Sequence, residues 1–211
     1  MIPLRRRPPG RRRAGFTLLE ILIVMLILGV LAAYFVVSGG RIFRSSKTKQ
    51  AELRLQELTS LIEQFRQIEG DYPNDALPAG ASGNNDNAHA ESLFLALYDA
   101  DYTGQRPSQE WLVNTDGDST TKAMTILPGR ELMEFGDIWG NPILYFDHRH
   151  FEVEATVWAA APEEELMQQR ATARKQSTTG LWMNNQTFQL LSAGEDGLFG
   201  TEDDLGNFRD G

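Results

Sequence analysis

The sequence predicts an α+β fold: a long N-terminal helix, transmembrane in its first half and amphipathic in its second, packed on a small antiparallel β-sheet. Three observations predict it. A run without a charged residue covers residues 21–37. A second stretch, from Ala51 to Ile68, repeats its apolar residues at helical spacing. Runs rich in β-branched and aromatic residues gather toward the C-terminus, where Gly and Asn separate them.

Residues 1–15 read MIPLRRRPPGRRRAG. Pro3, Pro8, Pro9 and Gly10 prevent a helix, and the arginines repel one another, so this is a disordered basic leader. Behind it, Phe16 to Val37 form a hydrophobic segment interrupted only by Thr17 and Glu20. As a helix its about 22 residues reach roughly 33 Å, enough to span a bilayer. Arginines crowd its N-terminal side, which places that side in the cytoplasm. Arg41, Arg44, Lys47 and Lys49 on the far side lessen this asymmetry without reversing it.

The pattern then becomes amphipathic. Ala51, Leu55, Leu58, Ile62 and Phe65 alternate spacings of four and three, and Leu61 and Ile68 widen the stripe. Glu52, Arg54, Gln56, Glu57, Glu63 and Arg66 occupy the other faces. Gly70 and Pro73 end the helix. Nothing from Phe16 to Glu69 clearly breaks it, although Gly39-Gly40 could bend it, so one helix of about 54 residues, on the order of 80 Å, is expected.

Residues 74–90 are turn-rich, Glu91 to Ala100 suit a short helix, and residues 104–121 read as a polar loop. Strands are expected at Ile143 to Phe146, Phe151 to Trp158 and Thr187 to Leu191. Residues 162–176 look like a solvated helical insertion starting at Pro162. The resulting organisation is a leader over 1–15, a transmembrane and assembly helix over 16–44, and a globular domain over 45–211.

Composition narrows the function. Apolar residues make up 41% of the chain, enough for a core in one domain. Six of the 20 basic residues precede Gly15 and none of the 29 acidic ones does, so the remainder is more acidic than the overall charge of −9. That sign argues against nucleic acid as a partner. With no cysteine there is neither a disulfide nor thiolate chemistry. No nucleophile elbow, phosphate loop or paired-carboxylate motif suggests an enzyme. His89, His148 and His150 read as ordinary polar residues, and Trp139 and Trp158 as packing residues. Asn114-Thr-Asp116-Gly-Asp118 reads as an Asp-Gly turn, with no nearby acidic residue in sequence to complete a calcium site.

One unit stands out at the start of the apolar run: Ala14-Gly15-Phe16-Thr17-Leu18-Leu19-Glu20. A carboxylate there is costly unless it stays hydrated at the interface or finds a partner. The run GFTLLEILIVMLILGVLAA closely resembles the class III signal of type IV pilins and type II secretion pseudopilins. The resemblance implies that a prepilin peptidase cuts after Gly15 and methylates the new amine of Phe16. It also implies an assembly role for Glu20, fifth residue after the cut, whose carboxylate would pair with the Phe16 amine of a neighbouring subunit or its own. A secretory signal would instead place its small-residue cleavage site after the apolar run.

The second informative stretch runs from Phe188 to Phe208. Asp196, Asp203 and Asp204 lie among glycines 194, 197, 200 and 206, which let the backbone wrap tightly. Hard carboxylate and carbonyl oxygens suit calcium, but spacing alone fits a solvated acidic turn equally well. The segment resembles the end of the major pseudopilin of type II secretion, whose last loop binds calcium through aspartates. Ser192, Gly194, Asp196 and Gly197 match its Ser-x-Gly-x-Asp-Gly stretch, Asp203 and Asp204 its later acidic pair, and Leu205-Gly-Asn-Phe208 its ending. Gly136-Asp-Ile-Trp139-Gly-Asn-Pro142-Ile-Leu-Tyr145 resembles another block of that family, with Ile138 in place of the usual Pro. Gly70-Asp-Tyr72-Pro73 fits its helix-ending motif. Residues 74–135 and 162–182 have no clear counterpart.

These resemblances imply a non-enzymatic, calcium-binding subunit of a periplasmic filament that drives protein export. Its partners would be further copies of itself, the prepilin peptidase, the inner-membrane secretion platform, minor pseudopilins and membrane lipid. It would cross the inner membrane once, with a cytoplasmic N-terminus and a periplasmic C-terminal domain. Two rivals remain: a type IV pilin-like fibre for adhesion, motility or DNA uptake, and a single-pass anchored binding protein that never polymerises. A simple anchor has no use for Glu20, and many pilins close a C-terminal loop with a disulfide that this chain cannot form.

Overall fold

A computed structural model describes residues 16–81, 83–162 and 164–208, the side chains of residues 35–44 excepted. The leader, Gly15 with it, lies outside the described residues. The chain divides into two units, Met1–Ser45 and Ser46–Gly211.

Helix α1 runs over Leu18–Glu69 without a break, within two residues of the expected bounds. In the first unit its described side chains from Ile21 to Tyr34 are apolar on every face and exposed, as at Leu22, Ile23, Val24 and Met25; Glu20 is the charged exception before them. A helix apolar all round needs lipid or other helices to cover it. Among the described residues no helix is long and apolar enough to cross a membrane. The described side chains stop at Tyr34, and Phe35 to Val37, which complete the apolar run, lie outside them.

In the second unit the amphipathic half of α1 supplies one wall of the core. Leu55, Leu58 and Ile62 are buried against Leu93 and Leu97 of α2 (Ala88–Leu97) and against Tyr145, Phe188 and Leu190. The expected stripe is therefore the face that packs. Gly70 ends α1 with φ +88°, its N–H donating to Arg66 O at 2.9 Å. Only glycine takes that left-handed conformation without strain.

Among the described residues, seven strands form three antiparallel sheets rather than one. The central sheet orders β3 (Leu144–Asp147), β6 (Phe188–Ser192) and β7 (Leu205–Gly206). All residues of β3 and β6 are buried. A two-residue pair joins β1 (Leu112–Val113) to β2 (Glu134–Phe135). The third sheet pairs β4 (Ala155–Ala159) with β5 (Met167–Ala171).

Further expectations change. The strand expected at Phe151–Trp158 begins only at Ala155, as β4, since residues 151–153 form turns after the 3-10 turn at His148–His150. The helix placed at Glu91–Ala100 starts and ends three residues earlier; past its end, Asp99 Oδ1 accepts the N–H of Asp101 at 2.7 Å and turns the chain out of the helix. The polar loop over 104–121 contains β1. The helical insertion over 162–176 is instead strand β5, in register with β4 from Ala155↔Ala171 to Ala159↔Met167. Helix formers such as Gln168 and Gln169 yield there to cross-strand pairing, since tertiary context overrides propensity.

Candidate functional site

At the N-terminus, Thr17 and Glu20 form a reciprocal cap. The Glu20 N–H donates to Thr17 Oγ1 at 3.2 Å, and Glu20 Oε2 accepts from the Thr17 N–H at 2.8 Å and from its hydroxyl at 2.9 Å. The carbonyl of Thr17 accepts the first helical bond, from Ile21 N at 3.2 Å. Thr17 is thus the N-cap residue and Glu20 the third residue of the helix, the arrangement of a capping box. The Thr-x-x-Glu spacing was readable in the sequence, which led instead only to the carboxylate. Glu20 Oε1 accepts no hydrogen bond among the described residues, so one carboxylate oxygen stays available.

The turn at residues 136–142 gathers hydrogen bonds from several segments of the second unit. Asp137 is buried and its Oδ1 accepts from the N–H groups of Trp139 at 2.9 Å and Asn141 at 3.0 Å. Ser192 donates its hydroxyl to Asp137 Oδ2 at 2.7 Å. Arg54 of α1 reaches the same turn, donating through Nη1 to the carbonyls of Gly136 at 2.6 Å and Asp137 at 2.8 Å. Asn141 binds the backbone of Ala160 through both ends of its amide, at 2.8 and 2.9 Å. The turn thereby joins α1, the end of β4 and the end of β6.

The C-terminal loop follows β6 directly. Gly194, Gly197 and Gly200 have φ of +71°, +66° and +100°, so the wrapping expected of them is present. A Cβ on Gly194 would lie 2.3 Å from the Asp203 carbonyl oxygen, so that close approach requires glycine. Asp203 Oδ2 accepts from Asp196 N at 3.0 Å and Oδ1 from Thr201 Oγ1 at 2.5 Å. Burial raises the Asp203 carboxyl, but these hydrogen bonds outweigh it and hold the group below its ordinary value. Asp196 Oδ1 accepts from Leu198 N at 2.8 Å.

Asp204 points elsewhere. Its Oδ2 accepts from Gly200 N at 2.9 Å and pairs with Arg174, while its buried Oδ1 has no partner. Asp196 and Asp203 are thus brought together, and Asp204 reaches them only through the loop backbone. An ionised Asp203, the glycine cradle and the orphaned Asp204 oxygen fit a hard cation; the Arg174 guanidinium competes for Asp204. Among the described residues the three aspartates do not form a converging carboxylate group.

The stretch after Pro162 supplies two braces that the sequence did not reveal. Gln169 of β5 donates to Gly197 O at 2.8 Å and accepts from Phe199 N at 3.1 Å. Arg174 holds Asp204. No motif marks either residue; only the β4–β5 pairing brings them to the loop.

The chain carries the prokaryotic N-terminal methylation motif. It is matched over residues 10–35, which include Gly15, Phe16 and Glu20. This motif is the class III signal of type IV pilin-like proteins, and it indicates a pilin-like subunit at the level of the family. Prepilin-peptidase processing and filament polymerisation are implied for pilin-like chains generally. No solved structure matches this chain.

Proposed function

We propose that the chain is a pseudopilin of a type II secretion system, cut after Gly15, methylated on Phe16 and polymerised through α1. The methylation motif carries this reading. The apolar run from Phe16 to Val37 in the sequence supports a single inner-membrane span, with the arginine-rich leader cytoplasmic and the Ser46–Gly211 unit periplasmic. The uncommitted Glu20 oxygen supports pairing with the Phe16 amine of a neighbour in the filament. Opposite charges attract strongly in a medium of low dielectric, where each alone is costly. The subunit works by assembly rather than catalysis, alongside the secretion platform and minor pseudopilins.

The C-terminal loop supports the secretion reading over an adhesive or DNA-uptake fibre. It carries the Ser192–Gly197 stretch and the Asp203–Asp204 pair in a glycine-wrapped turn, and it would take calcium through Asp196, Asp203 and Asp204 once Asp204 turns from Arg174. Deleting the gene and following exported enzymes tests the assignment. They accumulate in the periplasm, and export returns with the wild-type gene but not with Glu20→Gln. Normal export in the deletion strain, with loss of surface fibres instead, would transfer the chain to the pilus reading.

A further inference from the structure

The Asn114–Asp118 turn has a neighbourhood that its sequence does not show. Asn114 Oδ1 accepts from Gly117 N at 2.7 Å, and Gly117 has φ +73°, as an Asp-Gly turn requires. The turn delivers Asp116 to Glu91 of α2 and Glu134 of β2. One carboxylate oxygen from each of Glu91, Asp116 and Glu134 lies within 4.8 Å of the others. Asp118 adjoins Glu91. The acidic completion therefore comes from residues 25 positions before Asp116 and 18 after it, beyond the reach of local spacing.

Glu91 is 0% exposed and neither of its carboxylate oxygens has a hydrogen-bond partner. Asp116 Oδ2 and Asp118 Oδ1 are also buried without one. No cation forms an ion pair with any of the four acids among the described residues. Burial, then repulsion from Asp118, Asp116 and Glu134, pushes the Glu91 carboxyl up to about 10; burial above all pushes Glu134 up to about 8. Buried polar groups are ordinarily satisfied, and Glu91, with both oxygens unpartnered beside three further acids that face no cation among the described residues, is the reverse.

A proton shared between Glu91 and Asp118 would satisfy that one pair, but it leaves the second Glu91 oxygen and the Asp116 Oδ2 without a donor. A divalent cation satisfies both needs at once. The available donors are all oxygens, with no imidazole and no sulfur, which selects a hard ion. They come from three separate segments and lack a preset octahedron, which favours calcium over magnesium. The site is also braced from behind. Glu134 Oε1 accepts from Asn87 Nδ2 at 2.5 Å and Oε2 from Thr115 N at 3.2 Å, which fixes the carboxylate's orientation.

We propose that Glu91, Asp116, Asp118 and Glu134 form a structural calcium site that ties α2, the 114–118 turn and β2 together, independent of the C-terminal loop. The ion fastens the stretch between α1 and the central sheet, where β1 and β2 share only two residue pairs.

Calcium bound per chain, measured by equilibrium dialysis on the full chain in detergent, tests this site. Glu91→Gln keeps the shape and removes one ligand charge. It binds one calcium fewer than wild type, and in chelator it melts no lower, because a buried repelling charge is gone. Asp203→Ala keeps this ion whatever happens in the C-terminal loop, which separates the two sites. Glu134→Gln repeats the measurement should the first variant not fold. Equal calcium in wild type and both glutamine variants, or no bound calcium in wild type, would leave a proton-sharing acid cluster and overturn the site.

Discussion

The Ser192 hydroxyl and the Asp137 carboxylate meet at 2.7 Å, both buried, across 55 residues of sequence. They join the end of β6 to the turn that receives Arg54. Ser192→Ala leaves Asp137 Oδ2 buried without a donor, at a cost of about 1–3 kcal/mol. Asp137→Ala costs more, since the N–H groups of Trp139 and Asn141 lose their acceptor as well. Urea unfolding of the full chain in detergent measures both; two unchanged midpoints would mean that the turn holds without its carboxylate.

Arg54 fastens α1 to the same turn with two carbonyl hydrogen bonds, and its guanidinium lies 4.8 Å from the Trp111 ring centroid. Arg54→Ala should cost on the order of 2 kcal/mol, and Arg54→Lys should recover only part of it, because an ammonium lacks the planar guanidinium that stacks on the ring. Full recovery by lysine would reduce the contact to charge alone.

Thr17 and Glu20 separate capping from charge. Glutamine at position 20 still completes a capping box, so Glu20→Gln keeps the helix start and membrane insertion while filament yield falls. Thr17→Val removes the cap at a cost of about 1 kcal/mol and leaves the charge in place. Sheared-filament assays and membrane fractionation distinguish the two. Equal filament loss in both variants would make Glu20 a capping residue only.

Gly194 has φ +71° with the Asp203 carbonyl in the space of a side chain. Gly194→Ala should open the C-terminal loop and, if the proposed calcium site forms there, reduce the rise in melting temperature that the ion would give. At a hundredfold excess over its dissociation constant, a bound ion stabilises by about 2.7 kcal/mol. Asp203→Ala should remove most of the loop's share. Identical melting of the wild-type and Asp203→Ala chains, with calcium and with chelator, would return the loop to a solvated acidic turn.

The helices were legible because their signals are local. Leu55, Leu58 and Ile62 announce the buried face of α1 by spacing, and Gly70 its end. β5 was not legible, because Gln168 and Gln169 favour a helix until β4 supplies backbone partners. The same limit hid Gln169 and Arg174 as braces of the C-terminal loop. It also hid Glu91 and Glu134, whose meeting with Asp116 depends on α2 and β2 packing together. The expected site residues Gly15, Phe16 and Glu20 lie in one continuous motif, and such motifs survive in sequence; Gly15 lies outside the described residues.

The N-terminus of the mature chain tests the central claim most directly. Mass spectrometry of protein extracted from membranes of a host with a prepilin peptidase should find a chain that begins at an N-methylated Phe16. A mature chain that still begins at Met1 in that host would contradict the account.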